Sequence, residues 1–298
     1  MPRILFIGAT GMLGKPVAKE LIDAGFAVTL LARDPGKMQQ LFPGSKIIKG
    51  DIFDRASLKK AFSGQDIVYM NLSVVQSSKN SHPQPEREGI TNVIAIARET
   101  GIRRIAYLSS LVKNYQGMNG FNWWSFDIKQ KAVEAIRSSG IAYSIFYPST
   151  FMECLDQQML RGKKLMLIKG SVAKMWFVAA SDYGKQVAKA FQQAGNSPLA
   201  ESRGQGAANN QEYTVQGETG YNFDEAARVF IDNYKPGAKT MSAPIGLLKF
   251  LGLFNQKMNY GARICEALNK YPEKFESQKT WKDLGKPSIT LEEYVMGL

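Results

Sequence analysis

The sequence holds one histidine and two cysteines, and these shortages exclude several kinds of chemistry at the outset. A His-bearing triad or a multi-histidine metal centre would have to rest on His82 alone. That residue sits in a polar, proline-bearing stretch, Ser77–Pro85, which reads as solvated loop. Cys154 and Cys265 lie far apart and neither stands in a metal-ligand spacing, so no metal site is expected and a reducing compartment suits both. No apolar stretch long enough to span a bilayer is free of charges. The first apolar run, Ile4–Ile7, begins too close to Met1 for a secretory signal, so the expectation is a cytoplasmic protein without a transmembrane segment. Acids are also scarce, 26 against 38 Lys and Arg, for a net charge of +12. Such an excess attracts anions. The basic residues are scattered, however, without an arginine-rich run or a recognition-helix motif, so dedicated nucleic-acid binding is not expected.

What is present is a chain of 298 residues with 44% hydrophobic content, enough for one large domain or a domain with an appendage. Short apolar runs alternate with amphipathic segments through the first half. Strands are predicted at Arg3–Ile7, Ala27–Ala32, Ser45–Lys49, Ile67–Asn71, Arg104–Leu108 and Ala142–Phe146, with helices near Met12–Ala24, Arg55–Phe62, Glu86–Thr100 and Lys129–Ser138. That alternation belongs to an α/β fold with a doubly wound parallel sheet, the Rossmann fold. Past Pro148 the pattern loosens into a smaller, irregular α+β lobe. Strands are expected at Met166–Ile168, Met175–Val178 and Glu212–Gln216, and helices at Asp182–Ala194, capped by Asp182, Asn222–Tyr234, Gly246–Phe254, Ala262–Lys270 and Leu291–Met296. Asn196–Gln211, rich in Gly, Ser, Asn and Ala, reads as a mobile loop. The division expected is a dinucleotide-binding unit over residues 1–150 and a substrate-binding lobe over 151–298, partly interleaved with it.

The segment Gly8-Ala9-Thr10-Gly11-Met12-Leu13-Gly14 falls between the first strand and the first helix. A glycine-rich turn there lets backbone approach a pyrophosphate and aims a helix N-terminus at it. Gly8 makes the tight turn, Gly11 admits the phosphate, and Gly14 lets helix and strand pack closely. At the end of the second strand, where an NAD-selective protein places an acid, this chain has Arg33, followed by Asp34 and Lys37. A guanidinium grips a phosphate through two parallel hydrogen bonds, which favours NADP(H). Asp34, which can pair with Arg33 or face a ribose, leaves NAD(H) open. Asp51 and Ile52 after the third strand, and Asn71, Leu72 and Ser73 after the fourth, converge on the same sheet edge by topology.

Together the GATG-type loop, Arg33, Asp51, Ser109-Ser110 and Lys129 resemble the NmrA-like group of atypical short-chain dehydrogenase/reductases. The likeness extends to Ser139–Ser144, Phe151-Met152-Glu153, Phe177–Asp182 and Leu284–Pro287. The group includes isoflavone-type reductases, quinone reductases and non-catalytic NADP sensors, so the resemblance implies a cofactor more firmly than a reaction. In the wider family a Tyr-x-x-x-Lys pair and a Ser or Thr carry the chemistry. Lys129 matches the lysine, but the residue four before it is Ser125, and Leu111 follows Ser109-Ser110 at the usual hydroxyl position. The resemblance therefore implies that Lys129 binds the nicotinamide ribose or acts as general acid. Ser110 and Ser125 are the remaining catalytic candidates, and Ser109 lines the cofactor. Tyr147-Pro148 stands where sugar-modifying relatives carry Arg-Pro.

The leading expectation is an NADP(H)-dependent reductase of a small apolar carbonyl, enone or quinone-like substrate. A redox sensor with weakened catalysis is the alternative, and a nucleotide-sugar epimerase or dehydratase, disfavoured by Ser125 and Tyr147, comes third. Met118, Phe121, Trp123, Trp124, Phe126, Tyr147, Phe151 and Met152 read equally as pocket or core. For the apolar run Pro244–Phe254, a buried helix is favoured over a lid, a subunit interface or a membrane-surface contact. Monomer and homodimer stay open.

Overall fold

The first strand, β1 (Arg3–Ile7), is followed by α1 (Gly14–Asp23), β2 (Ala27–Ala32), α2 (Pro35–Leu41), β3 (Lys46–Lys49), α3 (Arg55–Phe62), β4 (Ile67–Met70), α4 (Ile90–Thr100), β5 (Arg104–Leu108), α5 (Trp124–Arg137) and β6 (Ala142–Pro148). A computed structural model describes residues 1–168, 170–195 and 210–298. β4 and β5 are buried along their whole length, as strands covered on both faces by helices must be. Alternate side chains serve opposite layers. Ile4 and Phe6 join Val17, Ala18 and Leu21 of α1 in one core. Leu5 and Ile7 join Leu58 and Phe62 of α3, Val93 and Ala97 of α4, and Val133 and Ile136 of α5 in the other.

The later chain contributes β7 (Leu160–Arg161), β8 (Lys164–Ile168), β9 (Met175–Trp176), α6 (Ala180–Gly195), β10 (Gln211–Val215), β11 (Gly220–Tyr221), α7 (Phe223–Asn233), β12 (Lys239–Ala243), α8 (Ile245–Gly252), α9 (Gln256–Lys270), α10 (Gln278–Leu284) and α11 (Leu291–Met296). β10 pairs in parallel with β6, giving a seven-stranded sheet in the order β10-β6-β5-β4-β1-β2-β3. Every pairing in it is parallel. The order reverses at β1, between β2 and β4, which opens the crevice where doubly wound sheets bind ligands. α6 lies on the α1 side, where the Tyr69 and Tyr183 hydroxyls share a buried hydrogen bond of 2.9 Å. The two smaller sheets, β12-β8-β7 and β11-β9, surround a separate core. In it Leu165 and Phe177 pack with Phe223 and Phe230 of α7 and Val295 of α11.

Most expected elements match those observed to within a few residues, but β12 is not among those expected and α9 begins six residues before the expected Ala262, and other exceptions are instructive. α5 begins at Trp124, five residues earlier than the amphipathic pattern suggested, because its first turn packs Phe126 and Trp124 against a fourth, aromatic core and so departs from that pattern. Short α2 and α10, and the two-residue strands β7 and β11, lack enough residues to show a period. Of the predicted mobile loop, residues 196–209 lie outside the described residues; Asn210 precedes the sheet and Gln211 opens β10. The buried helix expected over Gly246–Phe254 is a correction. α8 packs beside α9 and leaves Leu247, Phe250, Leu251, Leu253 and Phe254 exposed. Among the described residues no helix is long and apolar enough to cross a membrane.

Asp182 is also reassigned. α6 starts at Ala180, whose N–H donates to Glu153 Oε1 at 2.9 Å. Asp182, in the first turn, instead accepts the N–H groups of Ser288 and Ile289, both at 2.7 Å, and so fastens the closing segment to α6. Charge-assisted bonds to a buried carboxylate are each worth about 1.5–3 kcal/mol. Asp182→Ala is therefore expected to cost about 2–4 kcal/mol in denaturant unfolding. Burial pushes the Glu153 carboxyl up to about 7, above the unfolded value of about 4.3. The native state then holds the extra proton between those values, and this residue's contribution to stability declines as pH rises through that window. Glu153→Gln keeps an oxygen acceptor for Ala180 and removes the titration. Its stability relative to wild type should rise between pH ~5 and ~8 by up to about 3 kcal/mol, and a pH-independent difference would contradict the assignment.

Candidate cofactor and active site

The turn after β1 is shaped by backbone crowding. Gly8 adopts φ +97°, and a Cβ there would lie 2.0 Å from the Asn71 carbonyl oxygen; one on Gly14 would lie 2.0 Å from the Gly8 carbonyl oxygen. Both positions exclude any side chain. Gly11 differs, because a Cβ there would meet only the Gly8 oxygen, at 3.5 Å. The chain's own packing does not demand glycine at 11, whereas a group laid against the backbone there would. Thr10 and Gly11 are exposed at the rim, Met12 is half-buried, and Leu13 leans on the core. α1 has no side-chain cap and no acid in its first turn, while α2 and α3 are capped by Asp34 and Asp54. Its free N–H groups and the positive end of its dipole are thus available to an anion.

At the end of β2, Arg33 is exposed and makes no ion pair among the described residues. Asp34 Oδ1 accepts the Lys37 N–H at 3.1 Å, so its pairing with Arg33, left open by the sequence, is replaced by a helix cap. The Asp34-Pro35 start of α2 was a readable signal for this. Arg33 and Lys37 stand as two exposed cations on one turn. The Asp51 side chain accepts the Phe53 N–H at 3.0 Å, and the Ile52 side chain is buried against Gly89. Asn71 donates its backbone N–H to Ile7, and Leu72 packs on the sheet. Ser73 lies beside the Tyr260 side chain of α9. Asn71 Nδ2 and Ser109 Oγ are buried without a partner at the ends of β4 and β5. Unmatched buried polar atoms are uncommon, and with the open Gly11 cradle and uncapped α1 they fit a polar, phosphate-bearing cofactor.

Lys129 sits beyond this crevice in a buried polar cluster. Its Nζ lies 2.5 Å from Glu86 Oε1, and the two side chains are 15% and 0% exposed. The Tyr107 hydroxyl donates to the same oxygen at 2.5 Å. Burial, reinforced by Glu86, raises the Tyr107 hydroxyl well above its ordinary range. Lys131, by contrast, is 68% exposed and paired with Asp127, so Lys129 is not one more solvated helix lysine. Glu86 was not singled out in the sequence. It sits in a π-helical turn, Pro85–Gly89, where an acid beside a proline reads as an ordinary helix start. Ser125 is buried one turn before Lys129, and Ser110 is half-buried after β5. Lys113 is nearly enclosed, its amine pulled down to about 8 by burial, and lies 4.9 Å from the Tyr147 ring centre. The Tyr147 hydroxyl donates to Glu212 at 2.9 Å, which Arg137 holds through two bonds. Pro148 presents its carbonyl to the Leu111 N–H.

The aromatic run before Lys129 resolves as packing. Phe121, Trp123 and Phe126 form the fourth core with Tyr115 and Ala267, Phe151 and Met152 serve two others, and Met118 is exposed. Tyr260 meets Trp123 edge to face with ring centres 5.0 Å apart, bringing α9 over the Ser73 and Lys129 end of the crevice.

Residues 8–175 match a family model described as NAD(P)H-binding. Over 150 residues the chain is 33% identical to a (4-alkanoyl-5-oxo-2,5-dihydrofuran-3-yl)methyl phosphate reductase of Streptomyces griseus, a stretch that is 50% of this chain and 48% of that one. Over 207 residues it is 28% identical to the phenylcoumaran benzylic ether reductase PT1 of Pinus taeda, 63% of this chain and 64% of that one. It thus spans about half to under two thirds of these relatives' lengths. The whole chain also shares its fold with two solved structures. The Citrobacter triphenylmethane reductase complexed with NADP(H) superposes with a TM-score of 0.72 at 20% identity, covering 99% of this chain and 100% of that one. A nucleoside-diphosphate-sugar epimerase from Staphylococcus aureus gives 0.71 at 17% identity, covering 99% of both chains.

Arg33 and Lys37 offer a direct check on cofactor choice. Arg33→Ala is expected to weaken NADPH binding about 10- to 100-fold, one to two charge-assisted bonds, and to leave NADH binding within about twofold. Equal losses for both nucleotides in calorimetric titration would contradict the placement.

Proposed function

The chain belongs to the NAD(P)H-binding family, and from that premise we propose that it is an NADPH-dependent reductase of a small apolar carbonyl, enone or quinone-like acceptor. The resemblance read from the glycine loop, Arg33, Asp51, Ser109-Ser110 and Lys129 is borne out at the level of the family. The observation that carries the activity is the Lys129–Glu86 pair, buried at the end of the cofactor crevice. Burying two charges costs several kcal/mol unless geometry and further hydrogen bonds offset it, and such investments concentrate at functional sites. The reductases named among the relatives support the reaction class.

In this reading Gly8, Thr10, Gly11, Met12, Leu13 and Gly14 cradle the pyrophosphate, and Arg33 with Lys37 takes the 2′-phosphate. Asp51 and Ile52 flank the adenine. Asn71, Leu72, Ser73 and Ser109 line the middle of the crevice, with Tyr147 and Pro148 at the nicotinamide end. Bound NADPH supplies the hydride. Glu86 neutralises and orients the Lys129 ammonium, leaving two of its N–H bonds for the nicotinamide ribose or for the oxygen that gains charge on the substrate. Tyr107, its hydroxyl committed to Glu86, positions that carboxylate and does not reach the substrate as a proton donor. Ser110 and Ser125 supply the nearby hydroxyls. Tyr107, Tyr147 and Tyr260 make the surroundings aromatic, suited to a flat apolar acceptor. A second reading, an NADP(H) sensor with little turnover, is favoured by Ser125 standing where the family's proton-donating tyrosine would be.

NADPH consumption by the purified protein should be detectable across a panel of carbonyls, enones and quinones. Lys129→Met should lower kcat about 100-fold or more while NADPH still raises the melting temperature. Glu86→Gln should lower kcat about tenfold and leave the NADPH dissociation constant near wild type. No consumption over the whole panel would favour the sensor, and full turnover by Lys129→Met would remove Lys129 from the mechanism.

A further inference from the structure

The apolar segment that the sequence places inside the lobe is on the surface. Leu247, Phe250 and Leu251 follow the i, i+3, i+4 spacing of one face of α8, Phe254 follows in the turn after it, and all four are turned outward. Phe250 is 59% and Phe254 81% exposed, and their rings meet edge to face with centres 5.8 Å apart. Leu253 extends the patch past the end of α8. A monomeric protein seldom leaves a contiguous patch of large side chains in water without a partner for it.

The chain that flanks α8 in sequence carries charge of one sign. Residues 233–265 contain five basic residues, Lys235, Lys239, Lys249, Lys257 and Arg263, and no Asp or Glu. Lys249 is tied to Glu266 from beyond that stretch. Lys235, Lys239 and Lys257 are exposed, and none of them makes an ion pair among the described residues. We propose that α8 and its flanks form a docking surface for an anionic lipid bilayer, with the Phe250–Phe254 face in the acyl boundary and the lysines among the headgroups. α8 has eight residues, about 12 Å of helix against a hydrocarbon core of about 30 Å, so it lies in the interface and does not cross it. A second copy of the chain suits the patch less well. A two-fold contact brings the same surface of each subunit together, and this one would set unpaired lysines against their own images. A bilayer meets both properties at once, since acidic headgroups attract the lysines and the acyl boundary removes the phenylalanines from water. This docking does not depend on the reductase assignment. It would, however, bring the crevice near lipid-dissolved apolar acceptors.

The test is co-sedimentation of the full chain, saturated with NADPH, with vesicles of phosphatidylcholine and phosphatidylserine in about a two-to-one ratio. Binding is expected, reduced about tenfold or more on pure phosphatidylcholine vesicles and by raised salt. Phe250→Ser with Phe254→Ser should lower it at least tenfold with an unchanged melting temperature. Because both rings are on the surface, folding should survive, and a second variant, Lys235→Glu with Lys239→Glu and Lys257→Glu, checks the charge arm separately. Absence of binding to the anionic vesicles at low salt overturns the proposal. So does undiminished binding by the double-serine variant. A solution dimer that this variant dissociates, with no vesicle binding by wild type, assigns the patch to a second copy instead.

Discussion

The structure depends on the reversal of strand order at β1. β2 and β3 are laid down on one side of it and β4, β5, β6 and β10 on the other, so the loops after β1 and β4 leave in opposite directions and part the sheet edge. At that parting the Gly8 and Asn71 backbones come so close that a Cβ on Gly8 would fall 2.0 Å from the Asn71 oxygen. A wider residue would push the two loops apart and move α1, whose uncapped N-terminus faces the crevice, away from the ends of β4 and β5. The glycines and the unmatched Asn71 and Ser109 side-chain atoms are thus consequences of one arrangement, in which the main chain is withdrawn to leave room for a ligand.

The buried cluster at the other end of the crevice joins three elements that are distant in sequence. Glu86 comes from the turn before α4, Tyr107 from β5 and Lys129 from α5. One carboxylate oxygen receives both donors, so the lysine cannot shift without the turn and the strand shifting as well. The group proposed to meet the substrate is accordingly mounted on the rigid sheet and helices and not on a loop, which is how a site holds its geometry to a fraction of an ångström. In the proposed reading the same network stands in for the usual tyrosine. The hydroxyl that is present, Tyr107, serves the carboxylate, and the lysine is left to face outward.

Much of this was legible from the residues. The strands of the first half are continuous apolar runs bounded by turn residues, and β1, β2 and β5 fall where the pattern puts them. The glycine loop was readable because the strand before it and the helix after it supply the context that a bare glycine triplet lacks. Glu86 was not, because its importance comes from a contact with a lysine 43 positions away and an isolated acid carries no period. The role of Asp182 was misplaced for a related reason. Its position suits a helix cap, but the N–H groups it satisfies belong to Ser288 and Ile289, more than a hundred residues on. The all-round apolar character of α8 pointed to burial, and only the tertiary arrangement shows that, among the described residues, α9 covers one side of it and the Phe250–Phe254 side is left exposed.

The measurement that bears most directly on the account is titration of nucleotide-free protein with NADPH, NADP, NADH and NAD, followed by thermal unfolding. The account predicts saturable binding and a rise in melting temperature with all pyridine nucleotides that bind, largest for the two carrying the 2′-phosphate. No stabilisation by any of the four would contradict it, and would leave the glycine loop, the uncapped helix and the buried lysine as parts of a scaffold.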